Sequence, residues 1–182
     1  MINICKLELT NLQQEILRVL FIKAGESLNQ RQLANLLNVS PPAVMKALPS
    51  LKEKSLIKIQ QDKETRRWSI ELNRSNHKVM QLKRVDNLKL VYESGLTDFL
   101  EKECAGGTII LFGSYSRGED TVSSDIDLAV IGRKNKRIDV INFEKMLQRK
   151  ININFYESFR NVHKHLKENL CNGILLIGGV EL

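Results

Sequence analysis

No stretch of about eighteen consecutive apolar residues occurs anywhere in the 182-residue chain, which excludes a membrane-spanning helix and leaves no membrane partner to expect. The opening segment, MINICKLELTNLQQ, has neither a basic stretch nor a cleavage site, so no signal peptide is expected. Cysteine is scarce. Cys5, Cys104 and Cys171 are far apart, odd in number and in no metal-ligand spacing, which argues against a disulfide framework and reads as reduced thiols in a cytoplasmic protein. What remains, 42% hydrophobic and 27% charged, is an ordinary globular composition, and the length suits one large domain or two small ones.

The net charge of +7 is unevenly spread. Residues 1–74 hold 12 basic and 7 acidic residues, residues 75–104 hold 5 of each, and residues 105–182 hold 11 and 9. Most of the excess therefore sits in the first part, as a phosphate-rich partner would require, although the same charge also serves solubility.

Capping signals divide that first part into three helices. Thr10 and Gln13 form a capping box ahead of Leu12, Ile16, Leu17 and Leu20, and Gly25 ends the helix. Asn29 and Gln32 repeat the box, with Leu28 and Leu33 placed as a hydrophobic staple. Ser40 is then placed to cap a third helix whose first position is Pro41, where the missing N–H costs nothing. Pro49, inside that helix, is expected to kink or shorten it. Leu56, Ile57 and Ile59 follow as a short strand, Gln61 to Arg67 as a polar tip, and Trp68, Ile70 and Leu72 as the apolar side of a second strand.

Three helices and a hairpin make a winged helix-turn-helix, and LANLLNVSPPAVMKALPSLKEKSLI resembles the winged-helix regulators of the MarR and ArsR type. The resemblance implies duplex DNA as a partner, with Ser40, Pro42 and Lys46 on the recognition helix and Lys63, Arg66 and Arg67 on the wing. That helix lacks exposed Arg, Asn or Gln to read base edges, and winged helices also serve as dimerisation or docking modules.

Ser75 is placed to cap a connecting helix with Val79, Leu82, Val85 or Asp86, Leu88 and Val91 near helical spacing, and Gly95 interrupts it. A long helix between two small domains is compatible with a homodimer. Beyond it, Thr108 to Phe112 read as a strand buried on both faces, ending at Gly113-Ser114. Asp125-Ile126-Asp127-Leu128-Ala129-Val130 is a second strand, and alternation puts both carboxylates on one face and Ile126 and Leu128 on the other. Paired carboxylates call for a cation, and Mg²⁺ with a nucleotide's phosphates suits them. The glycine admits a phosphate close to the backbone, Ser114 opens a helix, and Arg117 lies one turn on.

GSYSRGEDTVSSDIDLAV is similar to the Gly-Ser, spacer, Asp-x-Asp signature of the DNA polymerase β-like nucleotidyltransferases, and in particular to the minimal ones. By that resemblance Asp125 and Asp127 are the catalytic, Mg²⁺-binding carboxylates, and Gly113, Ser114, Arg117 and Ser124 hold a nucleoside triphosphate such as ATP. The implied reaction is nucleotidyl transfer with release of pyrophosphate. The family adds a third carboxylate from a later strand. Here the strand is Lys150 to Tyr156, whose Ile151, Ile153 and Phe155 face one way and leave Asn152 and Asn154 where the carboxylate belongs. Glu157 would substitute if the chain turned back there. Glu119 and Asp120 read as a solvated loop, and Asp139 as a cap for the helix through Phe143 and Leu147. Phe159, Val162, Leu166 and Leu170 mark a last amphipathic helix on which His163 and His165 diverge, and Ile174 to Ile177 a terminal strand.

The expected fold class is α+β: a winged helix-turn-helix domain (1–74), a helical connector (75–95) and a small nucleotidyltransferase domain with a mixed sheet and helices (96–182). Two functions stay open. One is an Mg²⁺-dependent enzyme that nucleotidylates a protein or small acceptor brought by the winged helix or a partner protein. The other is a DNA-binding regulator, or antitoxin-like protein, that uses a degenerate nucleotidyltransferase fold as a sensor or dimerisation scaffold.

Overall fold

The computed structural model describes residues 8–61 and 68–180 and divides into two units, 1–79 and 80–182. The division falls inside the helix expected as a connector.

In the first unit, α1 (Asn11–Ile22) and α2 (Gln30–Leu37) each start with a complete capping box, Thr10 with Gln13 and Asn29 with Gln32. Both boxes satisfy two otherwise orphaned amides, which is why these starts follow from local sequence. Gln13 is also buried and donates through Nε2 to the carbonyl of Ala47, tying α1 to α3 (Pro41–Glu53). Ser40 stands at the N-cap of α3 but its side chain makes no capping bond. Pro41 and Pro42 bring no N–H, and the Ser40 carbonyl takes the amides of Ala43 and Val44 instead. Pro49 does not shorten the helix. Its ring is exposed, while Leu48 and Leu51 on either side are buried and hold the last turn in place.

Strands β1 (Ile57–Gln61) and β2 (Trp68–Leu72) pair antiparallel, and Leu28 adds a third edge through two backbone bonds to Ile70. Leu28, Leu33, Leu48, Leu51, Ile57, Ile70 and Leu72 are buried together with Ile16 and Leu20 of α1, completing the winged-helix core. Trp68, expected on the apolar side, is 38% exposed.

The second unit contains most of α4 (His77–Glu93), then α5 (Leu96–Glu103) and a four-stranded sheet. Asn76, not Ser75, caps α4 by accepting the amide of Lys78, because the Ser75 hydroxyl accepts from Lys58 instead. Strand order is β5-β4-β3-β6, with β3 (Thr108–Phe112) antiparallel to both neighbours and β4 (Ile126–Ile131) parallel to β5 (Ile151–Tyr156). The terminal strand β6 (Ile174–Ile177) supplies the edge. Alternation sends Ile109, Leu111, Ile126, Leu128, Val130 and Ile151 into the larger core with α5, and Ile110, Phe112, Ala129 and Ile131 into a smaller one with Val162 and Leu170. The last helix, Lys164–Cys171, follows a 3-10 turn Phe159–Asn161, so His163 precedes it and its ring lies 5.5 Å from that of His165.

The short α6 (Gly113–Arg117) ends at Gly118 with φ +75°, and a Cβ there would lie 2.5 Å from the carbonyl of Met80 and 2.8 Å from the amide of Arg84 on α4. Gly132 is similarly left-handed at φ +83° but faces open space. Gly118→Ala is therefore expected to cost about 2–4 kcal/mol and Gly132→Ala only about 1 kcal/mol, measured by urea denaturation. Equal costs would show that strain alone, not the close approach to α4, governs Gly118.

Candidate functional site

The site is assembled where three strands meet at one end of the sheet. Phe112, the last residue of β3, is the register partner of Asp127, and Asp127 is in turn the partner of Asn152. Because Ile126 and Leu128 are anchored in the larger core, Asp125 and Asp127 are directed to the opposite face, which the smaller core leaves open at this end. Gly113 follows Phe112 with φ +76°, and a Cβ on it would come within 2.6 Å of Asp127 Oδ2. Only a glycine leaves this space beside the carboxylate. Ser114, half-buried, is the next residue and the second of α6.

Asn152 occupies the position from which a third carboxylate was expected. Its Nδ2 donates to Asp125 Oδ2 at 3.1 Å and to Asp127 Oδ1 at 3.2 Å, so one amide group bridges both aspartates. Glu157 does not take that role. Since β5 runs parallel to β4, pairing Asn152 with Asp127 and Tyr156 with Ile131, Glu157 lies past the far end, roughly 16 Å along the strand from Asn152. No group of three or more His, Cys, Asp or Glu side chains suited to a metal occurs among the described residues. The two aspartates fit one hard cation, whose remaining ligands would be phosphates and water.

Arg117 and Ser124 frame the aspartates differently. The Arg117 Nε donates to Glu119 at 2.7 Å, so its guanidinium is held at the end of α6. The Ser124 hydroxyl accepts the amide of Thr121 at 2.9 Å, and Ser124 N–H returns to the Thr121 carbonyl. This closes a turn that delivers the chain into Asp125. A cleft on the other side of Asp125 is lined by Ser123, Lys145, Gln148 and Lys150.

Asp120 corrects the expectation of a solvated loop. It is fully buried and in direct ion-pair contact with Lys83 of α4, also fully buried. Asn87 Nδ2 donates to the same Asp120 oxygen at 2.7 Å and to the Tyr115 carbonyl at 2.9 Å, and the Arg149 guanidinium lies 3.6 Å from the other oxygen. Burial pushes the Lys83 ammonium below its ordinary value and Asp120 works against that shift, while burial pushes the Tyr115 phenol well up. The buried face of α4 thus carries Val79, Lys83, Asn87 and Val91, and Val85, one of the residues expected on the apolar stripe, is 67% exposed. Asp139 does accept the amide of Ile141 at the start of α7 (Ile141–Leu147).

On the winged helix, Ser40, Pro42 and Lys46 are all exposed along one end of α3, and Gln30 Nε2 donates to the Pro41 carbonyl to hold α2 against it. Lys63, Arg66 and Arg67 lie outside the described residues.

Removing one member of the buried charge cluster leaves the others uncompensated. Asp120→Asn is expected to lower stability by about 3–5 kcal/mol. Glu119→Gln weakens an exposed pair with Arg117 and should cost less than about 1 kcal/mol in the same denaturant titration. Comparable losses for the two would mean that Asp120 is not the structural anchor.

Residues 95–179 match the family described as Polymerase beta, Nucleotidyltransferase. No curated protein matches the chain in sequence. Among solved structures, MepR of S. aureus in complex with DNA is 28% identical with a TM-score of 0.38, over 53% of this chain and 82% of that one. A variant of ZitR from Lactococcus lactis is 23% identical with a TM-score of 0.42, over 56% and 66% of the two chains. AdcR of Streptococcus pyogenes is 24% identical with a TM-score of 0.43, over 56% and 70%.

Proposed function

We propose that the segment of residues 95–179, which matches the polymerase β nucleotidyltransferase family, binds an Mg²⁺-nucleoside triphosphate, ATP for instance, at Gly113-Ser114 and Asp125–Asp127. The observation that supports this most is the convergence of both aspartates, bridged by Asn152, beside Gly113 at the start of α6, whose missing side chain lets the Asp127 carboxylate lie against it. Asp125 and Asp127 hold the ion, Ser114 and the α6 amides receive phosphate oxygens, Ser124 fixes the turn into Asp125, and Arg117 swings from Glu119 toward the nucleotide. The bound ion would neutralise the triphosphate and the departing pyrophosphate. In the transfer, an acceptor hydroxyl oxygen would attack the α-phosphorus and lose its proton to solvent, the bond from that phosphorus to the bridging β-phosphate oxygen would break, and pyrophosphate would leave. The cleft lined by Lys145 and Lys150 gives an acceptor access to Asp125, and that acceptor is brought by the winged helix or by a partner protein.

The winged helix binds duplex DNA in this reading, with Ser40, Pro42 and Lys46 at the groove and Lys63, Arg66 and Arg67 toward phosphates, as a homodimer. A regulator whose nucleotidyltransferase domain senses a nucleotide without turning it over is favoured by one observation, the amide of Asn152 where a proton-accepting carboxylate is needed. The protein would act in the cytoplasm, where both ATP and DNA are found, and no described helix is long and apolar enough to cross a membrane.

Calorimetry with ATP separates these readings from an inert scaffold. Binding should require Mg²⁺ and be lost in Asp125→Ala and Asp127→Ala, with both variants folded by circular dichroism; unchanged affinity in both rejects the site. For DNA, affinity for a duplex should fall steeply with salt, and Lys46→Ala or the paired Arg66→Ala and Arg67→Ala changes should each flatten the slope by about one per lost phosphate contact. Absence of duplex binding at low salt would point to docking instead.

A further inference from the structure

We infer that Asn152 makes this a one-ion site in which its own side-chain amide stands in for the cation until a metal-nucleotide arrives. The inference rests on the nucleotide-binding reading above. Two carboxylates on one face of a strand repel each other unless positive charge lies between them. Here the amide hydrogens of Asn152 supply it, donating at 3.1 Å to Asp125 and 3.2 Å to Asp127. Only Nδ2 fits that place, because Oδ1 turned toward two carboxylate oxygens would add a third acceptor to them.

The pairing is imposed by the sheet. Asn152 is the register partner of Asp127, its neighbours Ile151 and Ile153 pack against the larger core, and β5 cannot slip without exposing them. A divalent ion placed between the aspartates meets the positive end of this amide. It binds only if the Asn152 side chain turns over, exchanging Nδ2 for Oδ1, which then offers a neutral oxygen to the ion. A carboxylate at the same position would need no such reversal and would add the negative charge that holds a second ion. With Asn152, a first ion would have to displace an existing pair of hydrogen bonds, and a second would find no anionic ligand at this position. The site is therefore weak for free metal and depends on the charge that a triphosphate brings.

Manganese counting and side-chain NMR on the full chain test this. Electron paramagnetic resonance of free Mn²⁺, with a non-hydrolysable ATP analogue present, should give one bound ion per chain for the wild type and two for Asn152→Asp. Mn²⁺ alone should bind Asn152→Asp on the order of tenfold or more tightly than wild type. In ¹⁵N spectra of the wild type, the Asn152 NH₂ pair, assigned by its absence from Asn152→Asp, should shift on adding Mg²⁺ and the analogue. Two ions in the wild type, one in Asn152→Asp, or an unmoved NH₂ pair while an ion binds would overturn the inference and leave the nucleotide site standing. Failure of both proteins to take any ion would remove the nucleotide site as well. Should Asn152→Asp not fold, Asn152→Ser supplies the assignment and the NMR titration of the wild type decides.

Discussion

A buried carboxylate, Asp120, is the constraint from which the geometry of the second unit follows. An ionised group with no exposure must be met by opposite charge and hydrogen bonds from within the protein. The cations come from two distant places, Lys83 on α4 and Arg149 just before β5, with Asn87 joining them and reaching on to the Tyr115 carbonyl. Asp120 lies between Gly113-Ser114 and Asp125. Its cluster therefore fixes the segment joining the two halves of the motif, and sets α4 close enough to α6 that only glycine fits at position 118. Such clusters add less net stability than an apolar core would, because each charge carries a desolvation cost. What this one supplies is a defined path for the loop, since any other path leaves charge buried without a partner.

The sheet does the rest of the positioning through parity. Along β4, Ile126, Leu128 and Val130 enter one core while Ala129 and Ile131 enter the other, so Asp125 and Asp127 necessarily share the face of the smaller core. On β4 the smaller core, with Val162 and Leu170, takes in Ala129 and Ile131, while Asp125 and Asp127 lie beyond it at the end of the strand beside Phe112. The same rule on β5 brings Asn152 level with Asp127 and carries Glu157 to the opposite end.

How much of this was legible in the sequence follows from the range of the interactions. Both capping boxes were readable because the paired residues are three apart. Asp125, Asp127 and Asn152 were placed on their faces correctly because a strand's period needs no tertiary information. Asp120 was misjudged because its partners are 37 and 29 residues away, and an acidic residue in a Gly-Glu-Asp-Thr run looks like a loop. The same cluster hid the true face of α4. A helix that buries Lys83 and Asn87 has no clean apolar stripe, and the nearby Val85 drew the expected face toward solvent. One faint signal did exist: Val79, Lys83, Asn87 and Val91 recur every four residues, with apolar ends and polar middle. Ser75 was misassigned for a comparable reason, since Lys58 across the hairpin claims its hydroxyl.

The amide at position 152 also decides how the site rests while empty. An ion held by three carboxylates keeps its place without substrate, whereas two aspartates bridged by an amide are electrostatically settled while empty. Under the proposed one-ion arrangement, occupancy would follow the metal-nucleotide rather than the metal, and the difference between the two states would be concentrated at the start of β5. Arg149, which closes the charge cluster around Asp120, is three residues before Asn152. The residues that meet the aspartates and those that fix α4 are thus neighbours on one stretch of chain, so the start of a single strand serves both.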